Sequence, residues 1–193
     1  MNKSLMGVIL FFVAIIGIGL LGYLLWFIPG YNKAISLDEG VKSAWAQVEN
    51  QLQRRNDLIP NLVNTVKGYA AQEKEIFTEV TRLRSQWGKA QSVGEKIENA
   101  GAMSNVLSRL LVVSENYPQL KSNENFLALQ SQLEGTENRI SVERRRYNKS
   151  VEEFNRFQRK FFGRFFARKA GVDKPAEYFK ATEAAQQVPQ VEF

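Results

Sequence analysis

VKSAWAQVENQLQRRNDLIPNLVNTVKGYAAQEKEIFTEVTRLRSQW, residues Val41 to Trp87, carries a seam position at alternating spacings of four and three. The register reads Val41, Trp45, Val48, Leu52, Arg55, Ile59, Leu62, Val66, Tyr69, Glu73, Ile76, Val80, Leu83, Trp87, and twelve of these fourteen positions are apolar. A 3.5-residue repeat held this long specifies a helix with one packing seam. Just upstream, Ser36-Leu37-Asp38-Glu39 has the S-x-x-E form of a capping box and puts acidic residues at a helix start. The pattern therefore predicts a helix over 36–87, about 78 Å long if straight.

Three residues disturb the seam. Pro60 removes a backbone hydrogen bond and crowds the turn before it, so a local kink is expected near Asn56–Pro60. Backbone groups opened there could be satisfied by Asn56, Asp57 or Asn61. Arg55 and Glu73 put charge into the seam about 27 Å apart along one helix, too far to pair with each other. The simpler account is that each long side chain snorkels to solvent. The sharper one is that each meets a partner from another helix and fixes register.

Working outward, 88–94 reads as a connector. A second helix is expected over about 95–117, ended or bent by Pro118. A third, capped by Ser122 or Asn123, is expected over about 122–163, and 172–193 reads as a tail with room for a short helix. The domain thus reads as an all-α, coiled-coil-like bundle over 36–171. Its helices are unequal in length. If each connector reversed the chain, part of the first and third seams would stay uncovered, and a second copy of the protein is the expected cover. The other solution is a bend, not a reversal, at Pro118.

Upstream, Leu5 to Ile28 is a run of 24 residues without a charge. At about 1.5 Å per residue it spans roughly 36 Å, enough to cross a hydrocarbon core of about 30 Å. Tyr23 and Trp26 near its end suit the headgroup region. The run is longer than the apolar core of a signal peptide and ends in bulky residues, so a retained single-pass anchor over 5–28 is expected. Residues 1–4 form a short tail before it. Pro29-Gly30 is expected to break the helix, with 29–35 as a linker. Lys3 and the amino terminus on one flank balance Lys33 and Lys42 on the other, so the positive-inside rule leaves the side of the soluble domain open.

Composition narrows the chemistry. The chain has 193 residues, a formal charge of +6, no cysteine and no histidine. Disulfides, thiolate metal sites and Ser–His or Cys–His catalysis are therefore excluded. The enzymatic alternative is one that uses only carboxylates, such as a glycan hydrolase acting on the cell wall, and it needs two acids about 5–10 Å apart. The Asp and Glu residues are scattered as on solvated helix faces. The reading is a non-enzyme without a cofactor or metal.

From Arg156 to Lys169 the basic residues Arg156, Arg159, Lys160, Arg164, Arg168 and Lys169 interleave with Phe157, Phe161, Phe162, Phe165 and Phe166. The plain account is a helix end with one core face and one wet face. Basic residues and phenylalanines at helical spacing also fit an anionic membrane surface. Nucleic acid is the least favoured partner, because the anchor already points to a bilayer.

Three blocks resemble the LemA family of bacterial membrane proteins. They are YNKAISLDEGVKSAWAQVENQLQRRNDLIPNLVNTVKGYAAQEKEIFTEV (31–80), LSRLLVVSENYPQLKSNENFLALQSQLEGTENRISVERRRYN (107–148) and YFKATEAAQQVPQVEF (178–193). The resemblance implies a membrane-anchored antiparallel helical bundle of three long helices plus a short C-terminal one. It implies residence in a bacterial inner membrane, and it supplies no catalytic residues. The most recognisable segment, Arg54 to Val63, falls on the Pro60 kink and the charged seam position Arg55. Phe161–Val172 departs from the family pattern. The expected function is a scaffold that self-associates or recruits an unidentified protein partner at the membrane, with lipid binding through the basic, Phe-rich tail as the alternative.

Overall fold

The structure is a computed structural model and describes residues 3–180. It is all-α, with no strand among the described residues. The helices are α1 (Lys3–Lys67), α2 (Lys74–Lys89), α3 (Val93–Ser114), α4 (Pro118–Lys121), α5 (Glu124–Arg159) and α6 (Phe161–Lys169). They divide into two compact units. Unit 1 holds the described residues of Met1–Lys42 together with Ser150–Ala176, and unit 2 holds Ser43–Lys149 with the described residues of Glu177–Phe193.

In unit 2 the heptad seam is buried, but not by one 52-residue helix. α1 stops at Lys67, residues 68–73 turn, and α2 runs back along α1. The Lys67 ammonium accordingly lies over the Phe77 ring, and the Trp87 indole donates to Gln53 Oε1. The turn closes with the Ala70 amide donating to the Val66 carbonyl at 2.8 Å. The periodicity hides the break because both helices aim the same register at one core. The seam positions at the turn itself are the ones left out of that core, with Tyr69 exposed and Glu73 half-buried.

α3 then runs up beside α1, and its start is fastened by a capping box. Ser92 Oγ accepts from the Glu95 amide, while the Glu95 carboxylate accepts from the Ser92 and Gln91 amides. Those two amides hold the Glu95 pKa below its ordinary value. The chain reverses again through α4, with Pro118 at its start. Asn123 Oδ1 accepts from the Phe126 amide and opens α5. Ile59, Leu62, Val66, Phe77, Val80, Leu83, Met103, Leu110 and Phe126 share one core.

This up-down-up-down order changes the expectation of unequal helices. The long first seam is folded back on itself and covered within the same chain, so the length mismatch no longer argues for a second copy. The boundaries move accordingly. The helix expected over 36–87 is the end of α1 plus α2, and the one expected over 122–163 is α5 plus the start of α6, parted at Lys160.

Two further expectations are corrected in unit 1. Pro29-Gly30 does not break the helix, because α1 passes through both residues, and Ser36 caps nothing, because the turn before it is already helical. The reason at Gly30 is packing, since the Phe166 ring fills the space where a side chain would stand. Asp38 and Glu39 instead pair with Lys42 on the α1 surface, each at 2.8 Å. Helix is likewise continuous through Pro60 in unit 2.

After α6 the chain is extended along α5. In unit 1 the Asn155 side chain pairs with both backbone groups of Ala176, each at 2.9 Å. In unit 2 Asn148 does the same for Phe179 at 2.8 and 3.0 Å, and the buried Phe179 ring lies under the Arg144 guanidinium. The buried Tyr147 hydroxyl donates to the Glu177 carbonyl at 2.7 Å. Burial, followed by the Glu177 charge, pushes the Tyr147 pKa up to about 12. A side-chain amide has one donor and one acceptor in peptide-like geometry, so it can hold an extended backbone without reading its sequence.

Candidate functional site

Two places gather the residues that the sequence singles out. The first is the Arg55 node in unit 2. Arg55 is 2% exposed. Its guanidinium donates to Ser104 Oγ at 2.8 Å, Glu137 Oε1 at 2.9 Å and the Ala100 carbonyl at 3.1 Å. The snorkelling account is thus wrong for Arg55, which ties α1 to α3 and α5. Burial holds the nearby Arg144 below its ordinary pKa; the Glu137 charge opposes this and the Arg55 charge adds to it.

The neighbouring candidates do less. Asn56 is buried, while Asp57 is exposed and accepts from Gln53 at 2.9 Å. Pro60 is half-buried. Glu73, at the α1–α2 turn, accepts from the Tyr117 hydroxyl at 3.2 Å. These residues do not converge on a cleft, so the node is a tie between helices.

The second place is in unit 1, where α6 meets the end of the charge-free run. Phe162, Phe165 and Phe166 surround Trp26 with ring centroids at 5.3, 6.0 and 4.9 Å. Phe27 reaches Phe165 and Phe166 as well. Two glycines permit this approach. Phe166 packs onto Gly30, and Gly163 sits where an added methyl would collide with the Phe157 carbonyl at the end of α5. Lys160, with extended backbone, forms the corner between the two helices.

Although Phe166 is buried, Phe161 is 86% and Phe162 54% exposed. Arg156, Arg159, Lys160, Arg164, Arg168 and Lys169 are also exposed. Among the described residues, only Arg156 of these six has a carboxylate partner, Glu152 at 3.8 Å. Along α1 from Met6 to Ile28 nearly every large apolar side chain is exposed, up to 72% at Ile18. One helix is therefore long and apolar enough to cross a membrane, and α6 packs at the end of its apolar stretch. Sequence reasoning had selected the tail cations and phenylalanines. It missed Gly30 and Gly163, whose only signal was a glycine beside bulky aromatics.

An all-α chain with one exposed apolar helix, and an aromatic-basic helix packed at the end of that helix's charge-free run, defines a helical protein with a candidate membrane-spanning segment. The LemA family model matches residues 44–193, and the chain belongs to that family. It is 27% identical over 180 residues to Magnetosome protein MamQ 2 of Paramagnetospirillum magneticum, covering 80% of this chain and 66% of that protein. Magnetosome protein MamQ of Magnetospirillum gryphiswaldense is 25% identical over 193 residues, covering 86% and 71%. Protein LemA of Metamycoplasma hominis is 23% identical over 148 residues, covering 76% and 66%. The chain thus spans just under two thirds of the first of these relatives.

Proposed function

We propose that this chain is a non-enzymatic, membrane-anchored helical scaffold whose α6 seats in the lipid headgroup layer of a bacterial membrane and so presents the bundle to partner proteins. The observation that carries the reading is the packing of α6 on Trp26 and Phe27, with Phe161 and Phe162 left exposed beside Arg159, Lys160, Arg164, Arg168 and Lys169, which pair with no carboxylate among the described residues. Exposed phenylalanines next to a spanning helix lose water contact by entering the interface, and the cations gain anionic phosphates there. The family relatives named for magnetosomes support a role in organising membranes.

The cysteine-free chain makes the test direct. A nitroxide on full-length Phe161→Cys in phosphatidylcholine–phosphatidylglycerol nanodiscs should sit at interfacial depth, with oxygen reaching it better than a water-soluble nickel chelate. The same label at Leu127, which is exposed in unit 2, serves as the comparison. A fully aqueous label at 161 would defeat the proposal. Cross-linking of the full chain in native membranes addresses the scaffold role, where a recurrent partner or homo-oligomer is expected and a strictly monomeric species counts against it.

A further inference from the structure

Behind the aromatic face of α6, still within unit 1, lies a cleft of about 390 Å³. Arg159, Arg164 and Arg168 line it, and Asp173 is the one carboxylate in its wall, so its net formal charge is +2. None of the three arginines has a carboxylate within salt-bridge distance among the described residues. Three like charges around one cleft repel each other, which an anion bound between them would relieve.

The walls are built. Gln158, buried at the end of α5, donates to the Val172 and Lys174 carbonyls at 2.6 and 3.2 Å and fixes the segment that carries Asp173. Asn155 clamps Ala176 just beyond it. Arg164 and Arg168 are one helical turn apart on α6 and so share a face. The same three arginines also line the open surface formed with Trp26, Phe162 and Phe165.

From this we infer that Arg159, Arg164 and Arg168 form a binding site for a phospholipid headgroup carrying two negative charges, its acyl chains lying along Trp26, Phe162 and Phe165. The inference rests on the proposed seating of α6 in the membrane. Guanidinium groups match phosphate oxygens with paired N–H donors. A free phosphate would satisfy the cations but leave the adjoining phenylalanines wet, which favours the lipid. A cleft charge of +2 selects a phosphomonoester or bis-phosphate headgroup over a singly charged one.

The test uses the full-length protein in phosphatidylcholine nanodiscs doped with either phosphatidic acid, cardiolipin or phosphatidylglycerol. The total anionic charge is held equal, and retained lipid is counted by native mass spectrometry. The expected result is an enrichment of about tenfold for the doubly charged lipids, unaffected by millimolar inorganic phosphate. Arg164→Gln with Arg168→Gln should abolish the preference. Arg156→Gln with Lys169→Gln removes the same charge outside both the cleft and the adjoining aromatic surface, and should keep the preference while weakening all anionic lipids alike. Equal retention at matched charge, or a preference that survives the arginine changes, overturns the inference, as does competition by inorganic phosphate. An interfacial label at 161 without headgroup preference would sink this inference alone, whereas an aqueous label would sink the membrane seating first.

Discussion

α1 passes through both units, and the two handle apolar surface in opposite ways. In unit 2 the seam residues Val48, Leu52, Ile59 and Leu62 are fully buried against the chain's own helices. In unit 1 Leu10, Phe11, Ile18 and Leu25 are each about 60–70% exposed. A helix apolar on one stripe is covered by its own fold, and one apolar all round needs a cover on every side, which a bilayer supplies when the helix is long enough to span it. Charge follows the same split. Unit 2 buries Arg55 and gives its two terminal nitrogens three acceptors, whereas Arg156, Arg159, Arg164 and Arg168 of unit 1 stay exposed. The first seam is thus covered within unit 2, while the exposed apolar and unpaired basic side chains gather in unit 1 among the described residues.

The largest test breaks the unit 2 side. Arg55→Ala removes the three hydrogen bonds that tie α1 to α3 and α5 and leaves a cavity at a buried position, and should cost about 3 kcal/mol in urea unfolding of the detergent-solubilised protein. Arg55→Met keeps the volume and should cost less. If both are neutral, the node is not a tie. Next, Gly163→Ala forces a methyl against the Phe157 carbonyl and should cost about 1–3 kcal/mol in local packing. The label at 161 should then change depth while unit 2 keeps its unfolding midpoint.

Smaller effects sharpen the picture further. Asn148→Ala removes both hydrogen bonds to Phe179, worth about 1–2 kcal/mol together, so amide exchange at Phe179 should rise without global unfolding. Ser92→Ala takes one half of the α3 capping box and should lower stability by about 1 kcal/mol. Tyr147 adds no pH dependence near neutrality. Its folded pKa is raised above its unfolded value of about 10, so the folded state holds the proton longer. Its stabilising contribution is full below that value and is lost as pH rises towards about 12. Tyr147→Phe should flatten that alkaline limb in a melting series.

How much was legible follows from which residues had local signals. The charge-free run 5–28 and the seam 41–87 are patterns along the chain; the first lies in α1 and the second in α1 and α2, interrupted by the turn at 68–73. Arg55 was visible as a charge in the seam. Its acceptors were not, because Ser104 and Glu137 lie 49 and 82 residues away. The turn at 68–73 escaped notice since the heptad phase survives it. The paired amides of Asn148 and Asn155 read as ordinary polar positions, because nothing local marks the extended segment they hold.

Alone, the sequence determined that the chain is all-α, that one helix is long and apolar enough to cross a membrane and that no thiol or imidazole chemistry is available. Those conclusions depend only on composition and period, which act residue by residue. Only the tertiary structure decided where the helices end, that Arg55 is buried with its donors aimed at α3 and α5, and that α6 rests on the end of the charge-free run. Each of those depends on contacts between distant segments, where packing overrides local preference. Pro29-Gly30 shows the rule most directly. It reads as a helix breaker, yet the Phe166 ring turns it into a docking notch inside a continuous helix.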